Sequence, residues 1–544
     1  MSTEHEVDRR SFVKLAGGAA ASAAIAGCSG DGDDEATETD PSGEDTEGGS
    51  PTETETGTGE AGDGEFAVTI TQGQAPTTLD PHNHRDTPTD NVALHVYEGV
   101  LSRDRTGEVI EKLATGYERV EDGVVRFEIR EDVQFHNGDD LTPEDVAYSV
   151  NRIVDEEVGL SPSPQSDQLA GVTGASVVDG ERAVEVQSDG FNPVVFSVFA
   201  TYGDVVQRSW IEETDTVGQD MNGTGPFQLA SYEEDVEVVL ERNEDYWRES
   251  ADVSELTFRS AEEASTRVNQ LLENETDVAV NVPPQEVSRV RNADNADVAA
   301  EASTRLLFCA MRYDVEPFSS QQFRQAMNYA IDLESIIQNV LQTFGDQTSQ
   351  PTLEGFVGYN DELDPYPQDT DQAEQLVEDS GHAGVEIELQ TPVGRYLRDV
   401  QIAQAVGEQI NQLSNVSCSV NQRDFESLAG EVTDGDIETS PPFYLLGWGE
   451  ATFEGSQTIT ALLTSDGALT SYSNEEVDQV MADAQSEPDA EERESLLQEA
   501  NQLLHEQAPW VYLNRQYSVY GVSNRVDWQA RSDERIDAYA MSPN

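Results

Sequence analysis

Apolar and polar positions follow two different rhythms along this chain, and the switches between them mark its organisation. Phe66–Thr71, Val124–Arg130 and Val133–Phe135 are short alternating runs, the period-two pattern of strands with one buried face. Asp122-Gly123 and Asn137-Gly138 punctuate this region as turns. At Thr142-Pro143-Glu144-Asp145 the rhythm becomes helical. Thr142 suits the cap, Pro143 the first helical position, and the two acids the positive end of the macrodipole. Val146, Val150 and Ile153 carry the apolar face onward. A longer stripe of Phe323, Met327, Ala330, Ile331, Ile337 and Leu341 predicts one helix over Phe323–Leu341.

Beyond Asp371 helices and strands take turns. Helices are predicted from Asp371 to Ser380, stopping at Gly381, and over Tyr396–Leu413. Strands are predicted at Val385–Gln390, Val416–Asn421 and Phe443–Leu446. Such alternation implies an α/β domain. Trp510–Val522 returns to aromatic, strand-like sequence and is expected to pair back onto the first domain, so that the chain crosses between domains more than once. Gly223-Thr224-Gly225-Pro226-Phe227 lacks the lysine of a phosphate loop and reads as a tight backbone crossing or a hinge-adjacent turn.

The N-terminus has a different character. Asp8-Arg9-Arg10-Ser11-Phe12-Val13-Lys14 precedes a small-residue stretch from Leu15 to Gly27. A charged segment, a short apolar one and a small-residue processing site make a targeting peptide. The stretch is too short and too rich in Ala and Gly to span a bilayer of roughly 30 Å. Arg9 and Arg10 resemble the twin-arginine export signal. Ile25-Ala26-Gly27-Cys28 resembles a lipobox, in which the Cys28 thiol is lipidated and begins the mature chain. Residues 1–27 are thus expected to be a signal peptide. Residues 28–65, dominated by Asp, Glu, Thr, Gly, Ser and Pro, are expected to form a disordered acidic stalk.

Charge narrows the partners. The chain has 108 Asp and Glu against 30 Lys and Arg, a formal charge of −78. Only Lys14 and Lys112 are lysines, so arginine carries nearly all the positive charge. Acids spread over the whole chain point to a solvated surface adapted to molar salt, where the Debye length falls to roughly 3 Å. An extreme halophile, an archaeon, is the expected source. Nucleic acid is excluded as a partner for want of clustered cations.

Signatures of catalysis are missing: the sequence holds no G-x-x-x-x-G-K-[ST], H-E-x-x-H or G-x-S-x-G. Asp80-Pro81-His82-Asn83-His84-Arg85-Asp86 sets two histidines among acids, as a metal site would. Arg85 sits within that cluster and no distant partner stands out, so it is read as a polar loop near a cleft. Cys309 and Cys418 lie among apolar or strand-forming neighbours and read as buried free thiols, with a disulfide left open. No metal and no cofactor are expected.

Across Phe66–Asn544 the chain resembles the solute-binding proteins of peptide-type ABC importers, the class of oligopeptide-, dipeptide- and nickel-binding proteins. The resemblance is carried, in order, by Leu79-Asp80-Pro81, Tyr97-Glu98-Gly99-Val100-Leu101, Phe127–Gly138 running into Leu141–Ser149, and Gly223–Phe227. Asn243-Glu244-Asp245-Tyr246-Trp247, Pro317-Phe318, Phe323–Asp332, Gly447-Trp448 and Ala508-Pro509 follow. It implies a two-lobed α/β fold of the periplasmic-binding-protein kind, type II, peptide-binding cluster, with a hinge and an extra subdomain in the first lobe. The first lobe would comprise 66–97, 205–305 and 512–544, the subdomain 98–204, and the second lobe 306–511. Solute would be buried between closing lobes and handed to membrane permease subunits. The protein would act as a monomer, without nucleotide or covalent chemistry, on the outer face of the cell membrane.

By the same resemblance Gly447 and Gly449 offer backbone groups to the solute, Trp448 walls the pocket, and Arg85 and Thr87 stand on the opposite lobe. Peptide binders carry an aspartate three residues after the Gly-Trp pair; here Ala451 holds its place, and Glu450 or Glu454 is a candidate substitute. The solute is therefore expected to be a modified peptide or another polar organic molecule. A nickel or other metal chelate is the alternative within the class. A secreted hydrolase lacks a visible nucleophile, and a surface adhesion protein lacks repeats.

The charge yields a direct test. Dilution from molar to millimolar salt should unfold or expand the mature domain, because unscreened acids repel one another. Circular dichroism against salt concentration measures it, and a native spectrum at millimolar salt would contradict the halophilic reading.

Overall fold

The computed structural model describes residues 65–544, other than Arg85, residues 160–162, Asp167, Ala170, Asp215, residues 434–435 and Ala468. Arg9, Arg10, Cys28, the signal segment and the stalk up to residue 64 lie outside the described residues.

One eleven-stranded sheet runs through the molecule. Its centre is an antiparallel pair of long strands, Ala296–Met311 and Trp510–Ser523. On one side the first strand carries Phe443–Gly449, then Val385–Pro392, then Val416–Arg423. On the other, the second strand carries Val278–Ala279, Ala67–Gln72, Glu255–Ser260, Glu237–Arg242 and Phe227–Glu233. Register in the central pair breaks once in the middle. Ala302 pairs with Tyr517 and Leu306 with Arg515, so Ser303, Thr304 and Arg305 face only Gln516. Arg515 fills this bulge, donating to the carbonyls of Ser303 (2.6 Å) and Ala302 (3.2 Å).

Packing separates on either side of the bulge. Leu307, Cys309, Met311, Phe323, Met327, Ile402 and Phe443 belong to one second-lobe core, and Phe308, Leu353, Tyr444, Ile459, Leu497 and Trp510 to another on the sheet's opposite face. Strand alternation produces this division, since successive side chains point to opposite faces. Val68, Ile70, Val96, Phe227, Leu256 and Phe258 form the first-lobe core. A separate four-stranded antiparallel sheet, ordered Ala114–Glu121, Val124–Ile129, Ala183–Ser188, Val172–Val177, encloses a further core around Phe127, Val146, Val150 and Phe199.

Several sequence expectations are met closely. Thr142 and Asp145 form a reciprocal capping box at the start of the helix Pro143–Val154. Cys309 and Cys418 are free and buried. Others need correction. The stripe Phe323–Leu341 folds as two helices, Gln321–Tyr329 and Leu333–Asn339. Asp332 caps the second by accepting from the Ser335 amide; the stripe stays continuous because both helices bury the same face, and periodicity reports burial rather than helix continuity. The helix expected from Tyr396 begins at Asp399 and ends at Ile410. The Asp399 carboxylate accepts from the amides of Arg395 (2.8 Å) and Tyr396 (3.1 Å) and holds them in a turn. Val133–Phe135 makes only an isolated bridge, Gln134 to Asp140. Trp510–Val522 pairs with Ala296–Met311 over both lobes rather than with the first domain alone.

Motifs scattered through the first half meet at one carboxylate. Glu98 is 3% exposed. It accepts from Thr224 Oγ1 (2.8 Å), the Tyr246 hydroxyl (2.7 Å) and Trp247 Nε1 (2.9 Å), and pairs with Lys112 Nζ (3.0 Å). Gly223 makes this convergence possible, because a Cβ there would lie 1.9 Å from the Val96 carbonyl oxygen. The crossing read from sequence is thus a close passage of two backbones. Glu98→Ala leaves the largely buried Lys112 cation and three donors without their acceptor, and should cost about 3 kcal/mol of stability. Denaturant unfolding in high salt checks this; a loss below about 1 kcal/mol, the scale of an exposed pair, would show that the junction does not depend on Glu98.

Candidate functional site

Gly447, Trp448 and Gly449 end the strand Phe443–Gly449, opposite Leu307, Leu306 and Arg305. Next to them lies the turn that precedes the helix Asp399–Ile410. The Tyr396 hydroxyl donates to the Gly447 carbonyl (3.1 Å), and its ring passes so near that a Cβ on Gly447 would meet it at 2.7 Å. Trp448 is half-buried, and its indole Nε1 has no partner. These three predicted residues therefore share one edge, with Tyr396 behind it and Arg305 at its end.

Two arginines converge here. Arg305 donates to Glu534 through Nη2 (2.8 Å) and Nε (3.3 Å). Burial alone would raise the Glu534 pKa, but the charge and hydrogen bonds of Arg305 outweigh it and hold the carboxyl below its usual range. Arg395 makes no direct ion pair of this kind among the described residues, although the charges of Glu534 and Asp399 reach it. Its guanidinium rests against the rings of Tyr396 and Phe425, at 5.2 Å from each centroid. It keeps solvent-accessible surface while protein crowds it, and that crowding, together with the nearby Arg305 cation, lowers its pKa.

The tail joins this wall to the first lobe. The Ser532 carbonyl accepts from the Thr304 amide (2.9 Å), within the bulge of the central strands. Arg535, next to Glu534, donates to Asp90 (3.2 and 3.4 Å) and to the Thr201 carbonyl (2.7 Å). Asp90 belongs to the helix Thr87–Ala93, which predicted residue Thr87 opens under an Asp86 cap. Thr87 and Gly449 thus stand on different lobes, linked by Asp90, Arg535, Glu534 and Arg305. Arg85 lies outside the described residues.

The two proposed substitutes for the missing aspartate have other surroundings. Glu454 accepts both nitrogens of Arg493 (2.7 and 2.5 Å) and also the Ser456 hydroxyl. Glu450 is fully buried, and burial pushes its pKa up to about 8. It accepts a long bond from the Leu353 amide (3.5 Å) through Oε2, and the nearby Thr458 hydroxyl offsets only part of the rise. At neutral pH it is mostly protonated and able to donate.

The histidine loop resolves into packing. His82 Nε2 bonds the Asp204 carbonyl (2.7 Å), and Asp80 is clasped by Arg152 (2.9 and 2.7 Å). Among the described residues no group of three His, Cys, Asp or Glu is placed to hold a metal.

Sequence reading missed Arg305, Arg395, Glu534 and Arg535. One signal was available: where cations are so few, an arginine in a turn such as Gly394-Arg395-Tyr396 stands out from the acidic surface around it.

Comparison with known proteins agrees with this architecture. The glutathione-binding protein GsiB of Salmonella typhimurium is 22% identical over 459 residues, 82% of this chain and 88% of that one. The periplasmic binding protein DppA of Helicobacter pylori, solved with the peptide STSA, superposes with a TM-score of 0.77 at 19% identity, covering 88% of this chain and 98% of that one. NikA of Staphylococcus aureus, solved with Ni(L-His)2, gives 0.74 at 18% identity, covering 88% and 100%. Residues 108–469 match the family model described as bacterial extracellular solute-binding proteins, family 5, middle. Two lobes sharing one sheet, a first-lobe subdomain and this match over most of the chain give one conclusion: the chain belongs to the family 5 extracellular solute-binding proteins.

Proposed function

We propose that this protein is the lipid-anchored, externally displayed receptor of an ABC importer, and that it captures a small organic solute by a carboxylate. Arg395 carries this reading. In a chain with 108 acids its guanidinium makes no direct ion pair among the described residues, Glu534 and Asp399 acting on it only through space, and it rests against Tyr396, whose hydroxyl bonds the Gly447 carbonyl. A planar guanidinium resting against aromatic rings is suited to bidentate carboxylate binding. Trp448 Nε1 offers a further donor. The ligands solved with proteins of this fold include peptides, and agropinic acid in the AgaA protein of A. tumefaciens R10, which supports an acid-bearing solute.

Separate cores and the register break at Ser303–Arg305 support lobes drawn as 66–97, 205–305 and 512–544 against 306–511, with 98–204 as the subdomain. The same edge suits a chelate that brings its own metal ligands, as the Ni(L-His)2 solved with NikA does. No acid of the 450–454 turn is free to take an ammonium: Glu450 is neutral and buried, and Glu454 is paired. Peptides should therefore be recognised at the carboxyl end and indifferently at the amine.

Titration calorimetry in high salt with a mixed tripeptide panel tests this. C-terminal amidation, or Arg395→Met, should weaken binding by about 2 kcal/mol, the worth of a charge-assisted bond, whereas N-acetylation should change little. Micromolar binding lost on acetylation would overturn it.

The anchor has its own test, motivated by the Ile25–Cys28 lipobox. Cys28→Ser should move the protein from the membrane to the soluble fraction with solute affinity unchanged. Retention on membranes after a high-salt wash would refute lipid anchoring.

A further inference from the structure

The turn that follows Gly447–Glu450 is gripped from the other lobe. Arg103, at the end of the strand Leu101–Arg103, donates through Nη2 to the Thr452 carbonyl (3.2 Å) across the lobe boundary. Its remaining bonds stay in the subdomain: Nη2 to the Ser197 carbonyl (3.0 Å), Nη1 to the Gly107 carbonyl (2.7 Å) and Nε to Thr201 Oγ1 (3.3 Å). Its guanidinium also lies over the Phe453 ring, 4.8 Å from the centroid. Thr201 Oγ1, whose single proton is shared between the Ser197 (3.2 Å) and Ala451 (3.1 Å) carbonyls, adds a weaker second crossing bond. Gly107 completes the seat: a Cβ there would come within 2.6 Å of the Phe453 ring.

This contact uses no carboxylate. Every acceptor of Arg103 is a carbonyl or a hydroxyl, although the residue is only 7% exposed in an acid-rich protein. Burial and the nearby Arg535 lower its pKa to about 10, so it remains charged at neutral pH. Molar salt screens exposed ion pairs strongly but leaves a short, buried hydrogen bond or a cation–π contact nearly intact. The guanidinium loses water when the lobes meet and recovers only part of that cost from neutral acceptors, which keeps the contact breakable.

We propose that Arg103, with Thr201 and Gly107, is a salt-insensitive latch that holds the turn 451–453, which follows the candidate solute-binding edge Gly447–Gly449, against the subdomain in the closed state, and so sets how long a solute is retained. Arg103 is a positioning residue in this role, and the role rests on the reading that solute is enclosed by lobe closure.

Spin labels on cysteines introduced at the exposed positions Glu118 and Glu475, one on each lobe, report closure as a distance distribution. The full mature protein is measured in molar salt, with and without the tripeptide panel as probe. Wild type should show two distance populations, with the probe favouring the shorter. Arg103→Met should reduce the ratio of closed to open molecules by roughly tenfold or more, the scale of hydrogen bonds to a charged group, with an unchanged circular dichroism spectrum. Thr201→Val should act in the same direction and less strongly. Two wild-type populations left unchanged by both substitutions would overturn the latch alone. A single wild-type population, indifferent to the probe, would overturn lobe closure and the latch with it.

Discussion

The pairing of Ala296–Met311 with Trp510–Ser523 is the constraint on which everything else here depends. The two strands are long enough to belong to both lobes, so one hydrogen-bonded ladder fixes two hydrophobic cores relative to each other. The bulge at Ser303–Arg305 interrupts that ladder where the cores separate. A bulge adds twist and removes pairing, and here it also turns Arg305 toward Glu534 and frees the Thr304 amide for the Ser532 carbonyl. The break in the sheet and the polar contacts it makes with Ser532 and Glu534 are one feature.

Cations are scarce in this protein, and their placement is selective. Arg152, Arg493 and Arg305 each neutralise a carboxylate with little exposure, and Lys112 does so for Glu98. Other arginines meet acids at exposed sites, Arg208 with Glu212 and Arg259 with Glu237 among them, where pairs contribute little and are screened. Arg395 and Arg103, like Arg267 and Arg324, make no direct ion pair among the described residues, and the first two lie beside the edge and the turn that carry the candidate site.

Much of the fold was legible because burial leaves a periodic trace. The capped helix at Pro143, the second-lobe alternation and the Gly223 crossing follow from local chemistry, and the ordered motifs of the resemblance led to the family. The strand Ala296–Met311 was not foreseen, because its first half carries no apolar rhythm: Ala299, Ala300, Glu301 and Ala302 give no alternation to read. The site was half legible. Gly447–Gly449 were proposed by motif, whereas Glu534 and Arg535, which approach the same edge, stand near the far end of the chain, and no local pattern links such distant positions. Glu450 and Glu454 show why identity alone misleads: close to the expected aspartate's place, one is buried and protonated and the other is tied to Arg493.

The tail has a consequence for how the molecule is made. Trp510–Ser523 lies inside the sheet, between Ala296–Met311 and Val278–Ala279, and the residues after it complete the first-lobe core through Trp528, Ile536 and Met541. A ribosome must therefore release nearly the whole chain before either lobe can close its sheet. Until then, open strand edges wait for a partner hundreds of residues away, the condition that makes folding slow and aggregation easy. Dense like charge keeps such intermediates apart, so the acidity that suits the surface of the finished protein also guards the unfinished one.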